Sequence, residues 1–242
     1  MKRTIGIVAS LIVFSSLSVW LSFMNVTSIT ESQTVFFDQN DEVIPQDITA
    51  KMPEPGTYTL HKIFAVPELQ VLDSSGNSQP ISQYTKGKLT LLTFFYQRCT
   101  DAGGCPYAMA LFHRVKSKLD RDERLRDRMR FVHISFDPDR DTPMMMAGLE
   151  KQNASITKGK KSIEWDFLTT PSIDALLPVI DAFGQNVDID VNALTNEKVL
   201  NYSHVLKAFL IDEEGFVREI YSTNYISKEM LLNDIQTLSL NK

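Results

Sequence analysis

Leu89 to Tyr96 is a short, almost unbroken run of apolar and β-prone residues, and it constrains the chain more than any other stretch. Such a run is the pattern of a strand buried on both faces, which requires packed layers above and below it. Polar and glycine-rich residues follow, Thr100-Asp101-Ala102-Gly103-Gly104, and Cys105-Pro106 then opens a helix. Proline suits a first helical turn because its missing N–H has no partner there to lose. Both cysteines of the 242-residue chain, Cys99 and Cys105, therefore fall on one strand-to-helix connection. Cys105 sits at the positive end of the helix, where a thiolate is favoured.

The surrounding pattern predicts a single mixed-sheet α/β domain. Leu69 to Leu72 and Gln79 to Tyr84 read as strands of a hairpin around Asp73-Ser74-Ser75-Gly76-Asn77. Helical spacing runs from Cys105 to about Asp127, and Phe131 to Phe136 is a second buried strand. Strand, helix and strand of these lengths imply a right-handed parallel crossover. Asp137-Pro138-Asp139-Arg140-Asp141-Thr142-Pro143 closes that strand and starts a helix, with Asp141 or Thr142 as N-cap. Trp165 to Leu168 is a short strand, Ser172 to Phe183 a helix, and Val187 to Lys198 an irregular polar loop. Val205 to Ile211 and Phe216 to Tyr221 flank Asp212-Glu213-Glu214-Gly215 as a hairpin, and Ser227 to Leu238 is a closing helix.

The N-terminus speaks to location. Lys2 and Arg3 precede Ile5 to Val26, a run without ionisable residues that is long enough to cross a bilayer. The positive flank stays inside and the rest lies outside, with the run either kept as an anchor or cleaved as a signal peptide. Residues 1–26 are thus the membrane segment, 27–60 a polar tether with Pro45, Pro53 and Pro55, and 61–242 the folded domain. A net charge of −5 gives no footprint for nucleic acid. Two cysteines are too few to staple a scaffold, so a hydrophobic core must carry the fold.

Ligand crevices in open α/β sheets lie at the carboxyl ends of the parallel strands. Cys99 and Asp137 follow two such strands, and if the strand from Val205 runs antiparallel, His204 begins at the same edge. Two thiolates and one imidazole form a soft donor set that suits copper, with zinc as the generic competitor. Spacing leaves three readings open: a plain disulfide, a redox dithiol with an incidental His204, or a metal site. Met144-Met145-Met146 reads as helix packing and His133 as a core residue. His113 lies over two turns beyond Cys105, too far to share its ligand. His61 precedes the domain and carries no signal of its own.

Lys88 to Pro106, Ile134 to Pro143, and His204 with Ala208 to Gly215 together resemble the Sco/SenC family in order and in the Asp-Pro-x-Arg-Asp-Thr motif. The resemblance covers roughly residues 60 to 240. It implies a thioredoxin-like domain, membrane-anchored on the periplasmic side of the bacterial inner membrane. It further implies a copper-binding assembly factor that delivers copper to, or reduces the cysteines of, a respiratory cupro-oxidase subunit. The family's ligands map onto Cys99, Cys105 and His204, and the two cysteines would cycle between dithiol and disulfide against a thiol–disulfide reductant. Asp137 and Arg140 would shape the adjoining loop. Two departures stand out: five residues separate the cysteines where the family has three, and Ser203 replaces a frequent Asp before the histidine. The alternative is an exported thiol–disulfide reductase without a physiological metal.

Overall fold

The computed structural model describes residues 52–99, 104–157, 159–185, 188–191, 198–201, 207–222 and 225–240. The strands are β1 (Phe64–Ala65), β2 (Gln70–Leu72), β3 (Ser78–Pro80), β4 (Leu89–Phe95), β5 (Met129–Ser135), β6 (Glu164–Leu168), β7 (Asp188–Val191), β8 (Lys198–Asn201), β9 (Lys207–Ile211) and β10 (Phe216–Ser222). The helices are α1 (Ser82–Thr85), α2 (Cys105–Leu119), α3 (Glu123–Arg128), α4 (Pro143–Ile156), α5 (Ile173–Ala182) and α6 (Lys228–Leu240). Six strands form the main sheet in the order β1-β10-β9-β4-β5-β6, a mixed sheet of thioredoxin-like class. β4 and β5 are parallel, from Leu89 opposite Met129 to Phe95 opposite Ser135, whereas β9 runs antiparallel to β4 with Ala208 opposite Thr93.

Every residue of β4 is buried. Successive side chains of a strand point to opposite faces, and Phe94 and Phe95 divide the core accordingly. Phe94 joins Phe136, Phe183 and Phe209, with ring centroids 5.1 to 6.3 Å away. Phe95 joins His133 and Phe167, and Phe112 of α2 meets Phe131 and His133 within that second cluster. Phe183, the residue that ends α5, and Phe112 of α2 thus contribute to separate clusters. The double-faced burial expected from the sequence is met by an aromatic cluster for each face.

The structure departs from the sequence reading in three elements. The helix expected to run unbroken to Asp127 stops at Leu119, because Asp122 accepts hydrogen bonds from Arg124 and Leu125 and caps a separate α3. Asp120, between the two, turns its carboxylate to Ser162 and to the amide of Ile163 at 2.7 Å each, a long-range attraction invisible to periodicity. The return strand expected over Gln79 to Tyr84 ends at Pro80, and Ile81 begins the turn of α1. Within the expected loop Val187 to Lys198, residues 188–191 pair with Lys198–Asn201 as the β7–β8 hairpin.

The hairpin at Asp212–Gly215 forms as expected. Asp212 N donates to Phe216 O, and Gly215 adopts φ +89°. A side chain at Gly215 would be strained, and its Cβ would lie 3.0 Å from Lys86 Cγ.

The expected membrane segment, residues 1–26, and the expected tether up to residue 51 lie outside the described residues. Among the described residues no helix is long and apolar enough to cross a membrane. The end of the tether, residues 52–60, packs on α6. Gly56 N donates to Thr237 Oγ1 at 2.9 Å, and Asn233 Nδ2 donates to Pro53 O at 3.0 Å. The Tyr58 hydroxyl donates to Asp234 Oδ1 at 2.6 Å, and Tyr221 donates to the other carboxylate oxygen at 2.7 Å. The folded body therefore includes residues that sequence alone assigns to the tether.

Candidate metal centre

The two cysteines meet at the carboxyl end of β4. The amide of Phe136 donates to Phe95 O at 2.7 Å, carrying the β4–β5 pairing one step past the strand. The chain then turns through Tyr96, with Cys99 N donating to Tyr96 O at 3.2 Å. Cys99 is half-buried, whereas Cys105, the first residue of α2, is buried. Both are free thiols, and their side chains share a hydrogen bond.

One expectation is reversed here. The helix N-terminus was expected to favour a thiolate at Cys105. Burial instead pushes the Cys105 thiol well above its ordinary value, and the neighbouring Cys99 adds to the rise. The backbones of Tyr96 and of Cys105 itself pull the other way and lose. Loss of water around a buried sulfur outweighs the helix's partial charge.

His204 lies outside the described residues. What is described is the start of β9, three residues later. Lys207 N donates to Gln185 Oε1 at 3.1 Å, and Thr93 Oγ1 donates to Lys207 O at 2.9 Å. Since β9 is antiparallel to β4, its first residues lie at the edge where β4 ends, as the sequence argument required. Among the described residues no three His, Cys, Asp or Glu side chains cluster to hold a metal ion.

The other candidates sort as follows. His133 is buried in β5, its Nδ1 accepting from Trp165 Nε1 at 2.9 Å, and burial holds it neutral with a pKa of about 3. His113, more than two turns beyond Cys105 in α2, lies against the Trp165 ring at 4.6 Å, and its pKa is lowered by burial and by Lys116. Met146 is buried and Met145 packs on the core, while Met144 is 78% exposed. His61 is exposed.

The acidic loop has an internal structure that the sequence did not reveal. Thr142 is the N-cap position of α4, without a side-chain cap bond. Asp141 is 2% exposed and turns the opposite way: its Oδ2 accepts from the Gln97 amide at 3.1 Å and from Ser135 Oγ at 2.6 Å. Asp137 N donates to Ser135 Oγ at 2.9 Å, and Arg140 pairs with the Asp137 carboxylate at 2.9 Å. Asp137 and Arg140 thus shape the loop, as expected. Burial raises the Asp141 carboxyl above its ordinary range against the pull of Ser135 and Gln97. From sequence, Asp141 reads as a possible cap and a member of the Asp-Pro-x-Arg-Asp-Thr motif, and Ser135 only as a strand residue. No local signal marks a bond spanning 44 residues.

The model of the SCO1/SenC family matches residues 65–239. The chain belongs to the SCO1/SenC family. A Stutzerimonas stutzeri protein, provisionally named copper-binding, is 30% identical over 104 residues, 43% of this chain and 48% of that protein. The match therefore spans about half the relative's length. The crystal structure of Arabidopsis thaliana ScoI with copper bound aligns over 74% of this chain and all of that one, at 17% identity and TM-score 0.58. BsSco, described as a member of the Sco family of cytochrome c oxidase assembly proteins with a disulfide switch, aligns over 77% of this chain and all of that one, at 20% identity and TM-score 0.54. At these identities the two structures share the fold with this SCO1/SenC member.

Proposed function

We propose that this chain is a copper-binding assembly factor that delivers copper to, or reduces the cysteines of, a respiratory cupro-oxidase subunit. Copper is cargo here, held by Cys99, Cys105 and His204. The observation that carries the reading is the pair of free thiols sharing a hydrogen bond at the β4–α2 connection of a SCO1/SenC domain. Two thiol donors close together suit Cu(I), a soft ion, and an imidazole completes a three-coordinate set. The antiparallel register of β9 supports His204 as that third donor, because β9 begins three residues after it, at the edge where β4 ends. Copper in the Arabidopsis relative and the provisional name of the Stutzerimonas relative point the same way.

Bound copper would neutralise the obstacle that burial creates. A buried thiol is poor at ionising alone, but a metal ion replaces its proton and supplies the compensating charge. The half-buried Cys99 is the entry point for both a metal and an attacking thiol, while Cys105 is shielded. The domain acts on the periplasmic side of the inner membrane, held by residues 5–26 or released by their cleavage. Its partners are a cupro-oxidase subunit and a thiol–disulfide reductant.

The same thiol contact favours a second reading, an exported thiol–disulfide reductase in which His204 is incidental. The disulfide switch named for BsSco supports it. An anaerobic Cu(I) competition titration separates the two. Tight one-to-one binding that weakens in both Cys99→Ala and His204→Ala is expected. Weak binding, or binding indifferent to His204, refutes the copper site and leaves the reductase.

A further inference from the structure

We infer that Asp141 is a positioning residue for the dithiol, gripping the turn that carries Cys99 and setting it against the buried Cys105. The inference rests on the reading that these two thiols are the working site, whether for copper or for thiol exchange.

Cys99 is carried by the turn that follows β4. Beyond Phe95 the strand's ladder is carried one step further, by the bond from Phe136 N to Phe95 O. The next residues, Tyr96 to Cys99, form a turn closed by a bond from Cys99 N to Tyr96 O, at 3.2 Å the longer of the two. In the middle of that turn the Gln97 amide donates to Asp141 Oδ2. This is a bond from the cysteine turn to a side chain of the neighbouring β5–α4 loop.

Asp141 is itself fixed from several sides. Ser135, the last residue of β5, donates to the same Oδ2 at 2.6 Å, and Asp141 N donates to Asp137 O at 2.7 Å. Asp137 N closes the circuit on Ser135 Oγ. The carboxylate is thus built into the end of a fully paired central strand and reaches across to the cysteine turn. Cys105, by contrast, is held by α2 and by burial. The geometry of the pair depends on the Cys99 side, and that side is tethered through Gln97.

A carboxylate bound to a backbone amide in a buried setting is worth more than a neutral hydrogen bond. Losing it frees the turn, and the separation of the two sulfurs then varies. Disulfide closure and two-sulfur metal binding both need a narrow range of separation. Asp141→Asn keeps an oxygen that can accept from both Gln97 and Ser135, so it should restore part of what Asp141→Ala removes.

The test uses the full chain and two readouts. The first is the equilibrium between the dithiol and oxidised dithiothreitol. In it the protein's two thiols form one S–S bond while two electrons and two protons reduce the probe. The second is the Cu(I) competition affinity. We expect Asp141→Ala to shift the disulfide equilibrium by about tenfold or more, the scale of one charge-assisted hydrogen bond, and Asp141→Asn, whose acceptor is neutral, to recover part of it. Cu(I) affinity should fall and recover in parallel. If Asp141→Ala does not fold, Asp141→Glu replaces it, since the extra methylene displaces the carboxylate while keeping the charge. A disulfide equilibrium within twofold of the unmodified protein overturns the inference. If the unmodified protein binds Cu(I) weakly but the disulfide equilibrium still shifts and recovers, the copper reading fails and the positioning role stands.

Discussion

A neutral histidine inside an aromatic cluster makes the stability of this domain sensitive to mild acid. His133 is enclosed by Phe95, Phe112, Trp165 and Phe167, with ring centroids 5.2 to 5.5 Å away. Indole can only donate, so the bond from Trp165 Nε1 fixes His133 Nδ1 as the unprotonated nitrogen. Adding a proton would charge a ring with no water around it and turn that acceptor into a donor facing a donor. Burial, with a smaller contribution from His113, therefore lowers its pKa from 6.5 to about 3. A depressed folded-state pKa gives stability that is fully present above the unfolded value and is lost as pH falls below it. Each pH unit inside that window costs about 1.4 kcal/mol, so going from about pH 7 to about pH 5 should remove roughly 2 kcal/mol. Urea denaturation followed by circular dichroism measures this directly. His133→Gln retains an acceptor for Trp165 and cannot titrate. The unmodified protein should lose about 2 kcal/mol more than this variant over the interval, with m-values unchanged. Other groups titrate in both proteins and cancel in the difference. Parallel losses in the two proteins would refute the reasoning.

Two further predictions concern side chains away from the cysteines. Asp166 is partly buried, its enclosed Oδ2 lying 3.4 Å from Arg130 Nε without a hydrogen bond. Burial raises its pKa from 3.8 to about 6, with Arg130 opposing. Ionisation then costs stability as pH rises through that interval. Asp166→Asn should stabilise the domain by about 1 kcal/mol near neutral pH, after allowance for partial exposure, and the gain should vanish near pH 4 in denaturation curves. Asp234→Ala strands the hydroxyls of Tyr58 and Tyr221, both of which donate to its carboxylate. It should lower unfolding stability by about 3 to 5 kcal/mol and speed proteolysis within residues 52–60, whereas Asp234→Asn should cost less.

Much of this protein is legible in its sequence. The run from Leu89 to Tyr96 determined a central strand buried on both faces, because only a two-sided core accommodates eight residues without a polar alternation. The crossover to Phe131–Phe136, the hairpin around Asp212–Gly215, and the placement of both cysteines on one strand-to-helix connection followed from local pattern and turn chemistry. These features repeat or punctuate within a few residues, and such signals survive in a bare sequence. The motif around Asp137 and the order of segments also pointed to the family.

What only tertiary structure decided involves partners distant in sequence. Asp120, just past α2, is bound by Ser162 and Ile163, 42 and 43 positions away. Residues 52–60 join the folded body because Tyr58 finds Asp234, 176 positions away. The sign of the Cys105 perturbation depended on how deeply α2 sinks its first residue, which helix polarity alone cannot give. Asp141, a plausible helix cap by its neighbours, is turned back to the Gln97 amide because the parallel pairing of β4 and β5 brings the two loops side by side. Hydrogen-bond partners are chosen by proximity in space, and proximity across a sheet is a property of the assembled fold.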